Sequence, residues 1–152
     1  MLQDHITVEN RHKDFITKVC ETEIIYALKD ETGFAVSYSN ELEYEDGEPV
    51  QIICFWSDQA RAKSCIEKEW DHYKVSEIFL NDFIENWCLG MNRDGIVAGT
   101  NFDNHLFGYE AEPLELILDL IEELKKTGKS IKFKKFESIE DLETQVKEVL
   151  ED

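Results

Sequence analysis

Apolar residues recur at helical spacing in several stretches of this chain. The first predicted helix covers 10–20. A second follows Ser57, whose hydroxyl suits an N-cap, and reaches Trp70. The most regular stripe predicts a third helix, whose inward residues are Leu80, Phe83, Ile84, Trp87 and Met91. We therefore expect three helices that each bury one face.

Two more helices are predicted toward the carboxyl end. One begins at Pro113, which suits a first helical turn, and stops at Gly128. Its inward residues are Leu114, Ile117, Leu118, Ile121 and Leu124. After 130–136, which is compatible with an extended segment, Ser138 opens the last helix in capping-box form. The inward residues predicted there are Leu142, Val146, Val149 and Leu150.

Alternating or continuously apolar runs predict strands at 23–29, 34–39, 50–56, 75–79 and 95–102. Phe34, Val36 and Tyr38 form the expected inner face of the second strand. The third is apolar on both faces, which suits a central strand, whereas Gly99 weakens the last or marks a bulge. Residues predicted to be largely buried are Ile52, Cys54, Trp56, Phe83, Trp87, Ile117 and Ile121. Because these elements follow no regular βαβ rhythm, we predict an α+β fold, with 1–152 as a single domain whose largely antiparallel sheet is packed with helices.

The charge of the chain gives information about its binding partners. The 152 residues contain 34 acidic and 16 basic side chains, a net charge of −18, yet 42% are hydrophobic and 11% aromatic. Such a chain has material for a core, so its charge must lie on the surface. That field repels nucleic acid and anionic membranes and attracts cationic partners. The first residues resemble no signal peptide and no apolar run reaches membrane-spanning length, so we expect a cytoplasmic protein.

Two segments concentrate charge of opposite sign. The predicted loop 40–49 carries five acids, Glu41, Glu43, Glu45, Asp46 and Glu48. Loops on a rigid scaffold often carry recognition, which makes these acids the candidate partner-binding residues; the alternative is a solvated hairpin loop. Residues 125–135 hold six lysines and no acid. One interpretation is a docking patch for an anion or an acidic partner. The other is that these lysines end a helix and face solvent on a strand.

Catalytic and metal-binding patterns are absent from the sequence. Asp103, His105 and Glu110 could begin a metal site, but further ligands at suitable spacing are missing, so we predict no metal and no cofactor. The four cysteines, at Cys20, Cys54, Cys65 and Cys88, lie far apart in apolar surroundings and are predicted to be free buried thiols. Without a nucleophile elbow or a phosphate-binding loop, we assign no catalytic residues.

The three tryptophans are candidates for a ligand pocket. Trp56, Trp70 and Trp87 could converge on an aromatic ligand, with Arg93 and Asn101 supplying polar contacts. The alternative interpretation is that each tryptophan anchors the core and ties its indole N–H to a carbonyl.

A spaced series of aromatic and glycine motifs resembles a known family. The motifs are Phe15-x-x-x-Val19, Tyr26-x-Leu28, Phe55-Trp56-Ser57, Trp70, Trp87, Asp94-Gly95, Gly99-x-Asn101, Gly108-x-Glu110 and Pro113-Leu114. In this order they resemble the bacterial domain-of-unknown-function family numbered 2750, a set of small cytosolic proteins. The resemblance covers 15–124 and leaves 125–152 outside. It implies no activity and no catalytic residues.

Three interpretations of function follow. Small size, acidity and missing catalytic motifs favour a protein-binding module, such as an immunity or inhibitor protein for a basic partner. A second interpretation is a small-ligand-binding or enzymatic domain that uses the tryptophan-lined pocket. The third is a housekeeping interaction protein, for example a homodimer, whose acidity serves solubility.

Overall fold

The computed structural model describes residues 5–151, which fold into a mixture of helices and strands. The helices are α1 (His5–Thr22), α2 (Gln59–Lys63), α3 (Leu80–Asp82), α4 (Leu89–Asp94), α5 (Pro113–Lys126) and α6 (Ile139–Glu151). A π-helical stretch, Phe83–Cys88, joins α3 to α4, and a 3-10 turn covers Lys68–Trp70. The strands are β1 (Ile24–Asp30), β2 (Gly33–Phe34), β3 (Val36–Glu43), β4 (Pro49–Phe55), β5 (Lys74–Phe79), β6 (Val97–Thr100) and β7 (Tyr109–Ala111). The predicted α+β class is confirmed.

The strands form two sheets with a backbone link between them. One sheet has the order β2-β1-β5 and antiparallel pairing, and the other has the order β3-β4-β6-β7. In the second sheet β3–β4 and β6–β7 are antiparallel, whereas β4–β6 is parallel. Tyr26 and Trp56 join the sheets through backbone hydrogen bonds of 2.9 and 2.8 Å. The parallel pair matters for the site, because the carboxyl ends of β4 and β6 meet at one edge.

Strand β4 separates two apolar cores, because its side chains alternate between the two faces of the sheet. Phe55 enters the helical core, which α1, the π-helical stretch, α5 and α6 cover. Ile52 and Cys54 enter the tryptophan core on the opposite face, around Trp56 and Phe102. A central position for this strand, predicted from its apolar residues on both faces, is confirmed.

Gly99 lies within regular pairing of β6, so of the two alternatives given for it, the bulge is wrong. Its role is close packing. A Cβ atom at this position would lie 2.7 Å from the ring of Phe102, closer than real side chains approach. The absent side chain therefore lets the Phe102 ring lie directly on the strand.

The helical spacing of apolar residues predicted a second helix that is longer than the one in the structure. The structure has α2 only from Gln59 to Lys63, followed by turns that reach the 3-10 segment. The N-cap is Asp58, which accepts a hydrogen bond from the Arg61 backbone N–H at 2.8 Å, and not Ser57. Short turns bury Cys65 and Trp70 as a continuous helix would. The spacing of apolar residues therefore does not distinguish a continuous helix from a series of short turns.

The π-helical stretch changes which residues of the third predicted helix face inward. Bonds from i to i+5 widen the turn and rotate the following side chains. Cys88 and Glu85 are buried as a result, whereas Trp87, predicted to be buried, is half-buried. The other six residues predicted to be core, from Ile52 to Ile121, are buried.

The prediction for the strand at 34–39 assigned the wrong residues to its buried face. The pairing breaks between β2 and β3, and it shifts register between Tyr38 and Glu43. Ala35 and Ser39 are buried, while Tyr38 is 55% exposed. Phe34 packs on Trp87 and Ala35 enters the tryptophan core, so the chain buries side chains on both faces where it passes from one sheet to the other, and simple alternation does not describe it.

The carboxyl end folds back onto α5. Ile139, Leu142 and Val146 of α6 are buried, whereas Val149 and Leu150, predicted to face inward, are exposed. The predicted N-cap is confirmed, since the Ser138 hydroxyl accepts a hydrogen bond from the Asp141 N–H at 3.0 Å. The segment 130–136 contains no strand. Within residues 5–151, no helix has both the length and the apolar character needed to cross a membrane.

Candidate functional site

The five acids predicted to bind a partner lie on the hairpin of β3 and β4. All five side chains are exposed, as expected for a surface loop. The loop itself is shorter than predicted, since β3 ends at Glu43 and β4 begins at Pro49. Glu41 therefore lies on a strand. We call residues 41–48 the acidic hairpin.

Hydrogen bonds hold the acidic hairpin against the body of the protein. The Tyr44 hydroxyl donates to the Gly95 carbonyl at 2.8 Å and accepts from the Gln51 N–H at 3.2 Å. At the other end, the buried Ser39 hydroxyl donates to Glu110 at 2.6 Å and accepts from the Leu42 N–H at 2.8 Å. The exposed acids therefore project from a fixed backbone.

The charge of the acidic hairpin is not neutralised within the described chain. Among residues 5–151, none of its five carboxylates takes part in an ion pair. Asp46 has an internal role, because it accepts a hydrogen bond from the Glu48 N–H at 3.0 Å and closes the turn. The remaining four carboxylates are free to meet a cation.

The tryptophans and their proposed polar partners do not converge. Trp56 is fully buried and donates its indole N–H to the Phe102 carbonyl at 2.9 Å. Trp70 lies in the same tryptophan core, whereas Trp87 packs on the other face of the sheet against Phe34, at 4.6 Å between ring centroids. The two polar candidates also differ in their exposure to solvent. Arg93 is exposed and pairs with its neighbour Asp94, while Asn101 is buried.

Asn101 belongs to a buried polar cluster at the carboxyl ends of the parallel strands. It follows β6 with φ +49°, a left-handed conformation that asparagine adopts more readily than most residues. Its Oδ1 accepts from the Ser57 N–H at 2.9 Å, and its Nδ2 donates to the Ser57 hydroxyl at 3.0 Å and to the Arg11 carbonyl at 3.2 Å. One side chain thus ties β4, β6 and α1 together.

A second part of this cluster contains a hydroxyl, an imidazole and a carboxylate in a row. The Nδ1 atom of His12 lies 2.8 Å from the Thr100 hydroxyl, and its Nε2 atom lies 3.1 Å from Asp119. Because an ionised carboxylate only accepts, Nε2 carries a proton. Tyr109 stacks on the imidazole at 4.0 Å. Thr100 is completely buried, so its hydroxyl cannot reach a substrate, and the row acts as a structural clamp.

The cysteines do not provide a nucleophile either. All four are buried and free, as predicted. Burial raises the pKa of the Cys20 thiol to about 12 and also raises the pKa values of Cys54, Cys65 and Cys88. These thiols therefore stay protonated at neutral pH, the form that does not attack.

The candidate metal ligands have other partners. Asp103 accepts from the His105 N–H at 2.9 Å and lies 3.4 Å from Arg11, while Glu110 accepts from Ser39. Within residues 5–151, the histidine, cysteine and acidic side chains form no group of three suited to a metal ion.

Sequence reasoning missed the clamp residues His12, Thr100 and Asp119. They lie on α1, β6 and α5, so no local motif connects them. Packing of α1 against β6 and α5 brings the three residues together, and contacts between such distant segments leave no signal at local spacing in the sequence.

A family model for a protein of unknown function, DUF2750, matches residues 12–120. The match covers more than half of the chain, so the chain belongs to this family, as the motif resemblance predicted. It includes the clamp and the acidic hairpin and ends before the lysine-rich segment. Neither the curated proteins nor the solved structures contain a match.

Proposed function

We propose that this member of the DUF2750 family is a protein-binding module that captures a cationic protein through the acidic hairpin. The observation that carries the proposal is a set of exposed carboxylates, without an ion pair inside 5–151, on a backbone held by Tyr44 and Ser39. Acids held in place before the encounter raise the association rate and disfavour acidic competitors. An immunity or inhibitor protein for a basic toxin fits this description.

A charge-matched pair of variants tests the proposal in the native host. Glu41→Gln, Glu45→Gln and Glu48→Gln together neutralise the acidic hairpin and keep Asp46, which closes its turn. The control neutralises three exposed acids elsewhere, at Glu122, Glu148 and Glu151.

Each tagged protein is used to recover partners from the host, and association rates are then measured at low and high salt. We expect a basic protein with the wild type and the control, and a recovery at least about threefold lower with the hairpin variant. The rate difference should fade as salt screens it. Equal recovery by the hairpin variant and the control would contradict the proposal.

A further inference from the structure

A groove of about 310 Å³ lies between the acidic hairpin and the beginning of α5. Its floor is apolar and consists of Val50, Met91, Val97 and Pro113, all largely buried. Its rim carries two acids, Glu43 from the hairpin and Glu112 from the N-cap position of α5. The groove thus combines an apolar floor with two carboxylates from separate elements.

Glu112 occupies a position where another residue type would serve the helix better. Serine, threonine, asparagine and aspartate cap helices because their short side chains reach the first N–H groups. The Glu112 side chain makes no such capping bond. Neither Glu112 nor Glu43 takes part in an ion pair within residues 5–151. Both carboxylates are therefore available to a ligand.

The hairpin wall of the groove is held in place before any ligand arrives. Tyr44 and Gly95 both line the groove, and the Tyr44 hydroxyl donates to the Gly95 carbonyl. Gly95 has φ +73°, a left-handed conformation that glycine adopts without strain. A Cβ atom would be strained in this conformation, so the turn that receives the Tyr44 bond favours glycine.

We infer that the groove receives one basic side chain of the partner, with its aliphatic part on the apolar floor and its charged end between Glu43 and Glu112. Arginine and lysine carry three or four methylene groups below the charge, and these groups cover apolar surface readily. A guanidinium can also donate to two carboxylates at once. The inference rests on the proposed function, because it names the chemical group by which the cationic partner would be anchored.

A peptide probe tests the groove without the partner. The probe is acetyl-Gly-Arg-Gly-amide, titrated against ¹⁵N-labelled full-length protein, and the control peptide replaces arginine by citrulline, which is neutral and of similar shape. We expect saturable chemical-shift changes at Val97, Gly95 and Glu112 with the arginine peptide. Citrulline should bind at least about threefold more weakly, in line with the loss of an exposed ion pair.

Two double variants locate the binding. Glu43→Gln with Glu112→Gln should weaken arginine-peptide binding by about tenfold, because both rim charges are lost. Glu122→Gln with Glu148→Gln removes the same charge at exposed positions outside the groove and should change binding by less than about twofold. Equal affinity for both peptides, or equal losses in both double variants, would overturn the inference.

The outcomes separate this inference from the proposed function. If the rim variant binds the peptide normally while the hairpin variant fails to recover the partner, the groove inference is wrong and the function stands. If the peptide binds as expected but partner recovery never depends on the hairpin, the groove binds cations and the proposed function is wrong.

Discussion

The acidic hairpin and the lysine-rich segment, 125–135, are both runs of like charge, yet the fold uses them in opposite ways. The carboxylates of the hairpin are exposed and form no ion pair with any residue of 5–151. In the lysine-rich segment, Lys129 donates to the carbonyls of Cys20 and Glu21 at the end of α1, at 2.9 and 2.6 Å. Lys125 pairs with Glu143, and the Lys135 ammonium reaches Asn86.

The difference follows from the overall charge balance. With 34 acids and 16 bases, a cation has more oppositely charged side chains to pair with than an acid has. Lysines near the end of a helix also meet carbonyl groups that lack hydrogen bonds. A run of charge in the sequence therefore indicates a partner surface mainly when its sign is the one in excess.

The largest effect is expected from a substitution in α6, which tests whether the helix that follows the lysine-rich segment is packed on the rest of the fold. Leu142 is completely buried against α5, so Leu142→Ala should lower the free energy of unfolding by about 2–5 kcal/mol. Leu150→Ala is the matched control, because Leu150 is 45% exposed, and it should cost less than about 0.5 kcal/mol. Chemical denaturation measures both, and equal losses would show that α6 is not docked as described.

A smaller effect is expected where the lysine-rich segment meets the π-helical stretch. The buried Glu85 carboxylate accepts from the Lys135 backbone N–H at 2.7 Å. Glu85→Ala should cost about 1–3 kcal/mol, because the N–H loses its acceptor. Glu85→Gln keeps an acceptor oxygen, so it should lose less than half of the stability that Glu85→Ala loses. Indistinguishable melting of Glu85→Ala and wild type would contradict this contact.

The Lys129 contact should contribute less than the buried carboxylate. Lys129→Met keeps the aliphatic part but removes the charge at the end of α1, at an expected cost of about 0.5–1 kcal/mol. Lys132→Met is the control, because Lys132 is exposed and should leave stability unchanged. Amide hydrogen exchange in the last turn of α1 should rise only in Lys129→Met. Faster exchange in both variants would instead indicate a general effect of charge.

The smallest expected effect is on the acidic hairpin. Glu41→Gln, Glu45→Gln and Glu48→Gln together should change the free energy of unfolding by less than about 0.5 kcal/mol, since these carboxylates are exposed and pair with no cation in the part of the chain that the structure describes. Denaturant titration at low salt provides the measurement. A loss above about 1.5 kcal/mol would mean that the hairpin acids support the fold, as the lysines do.

The apolar pattern predicted the long elements and failed where tertiary contacts set the local geometry. Strand β4 and helix α5 are found where their apolar residues placed them. The burial of Trp87 was predicted incorrectly, because the π-helical turn rotates its side chain away from the position that a spacing of 3.6 residues per turn predicts. Tyr38 is likewise exposed where the chain has just passed from β2 in the first sheet to β3 in the second, a change of sheet that local alternation does not reveal.

For the candidate site, the sequence by itself determined the excess of negative charge and the five acids that concentrate it. Their chemistry is local, so composition and position were enough. Tertiary structure alone decided which charges remain free, since that depends on contacts such as Lys129 with the end of α1, more than 100 residues away. It also decided that Glu43 and Glu112 share one groove, because parallel pairing of β4 and β6 brings distant segments to the same edge.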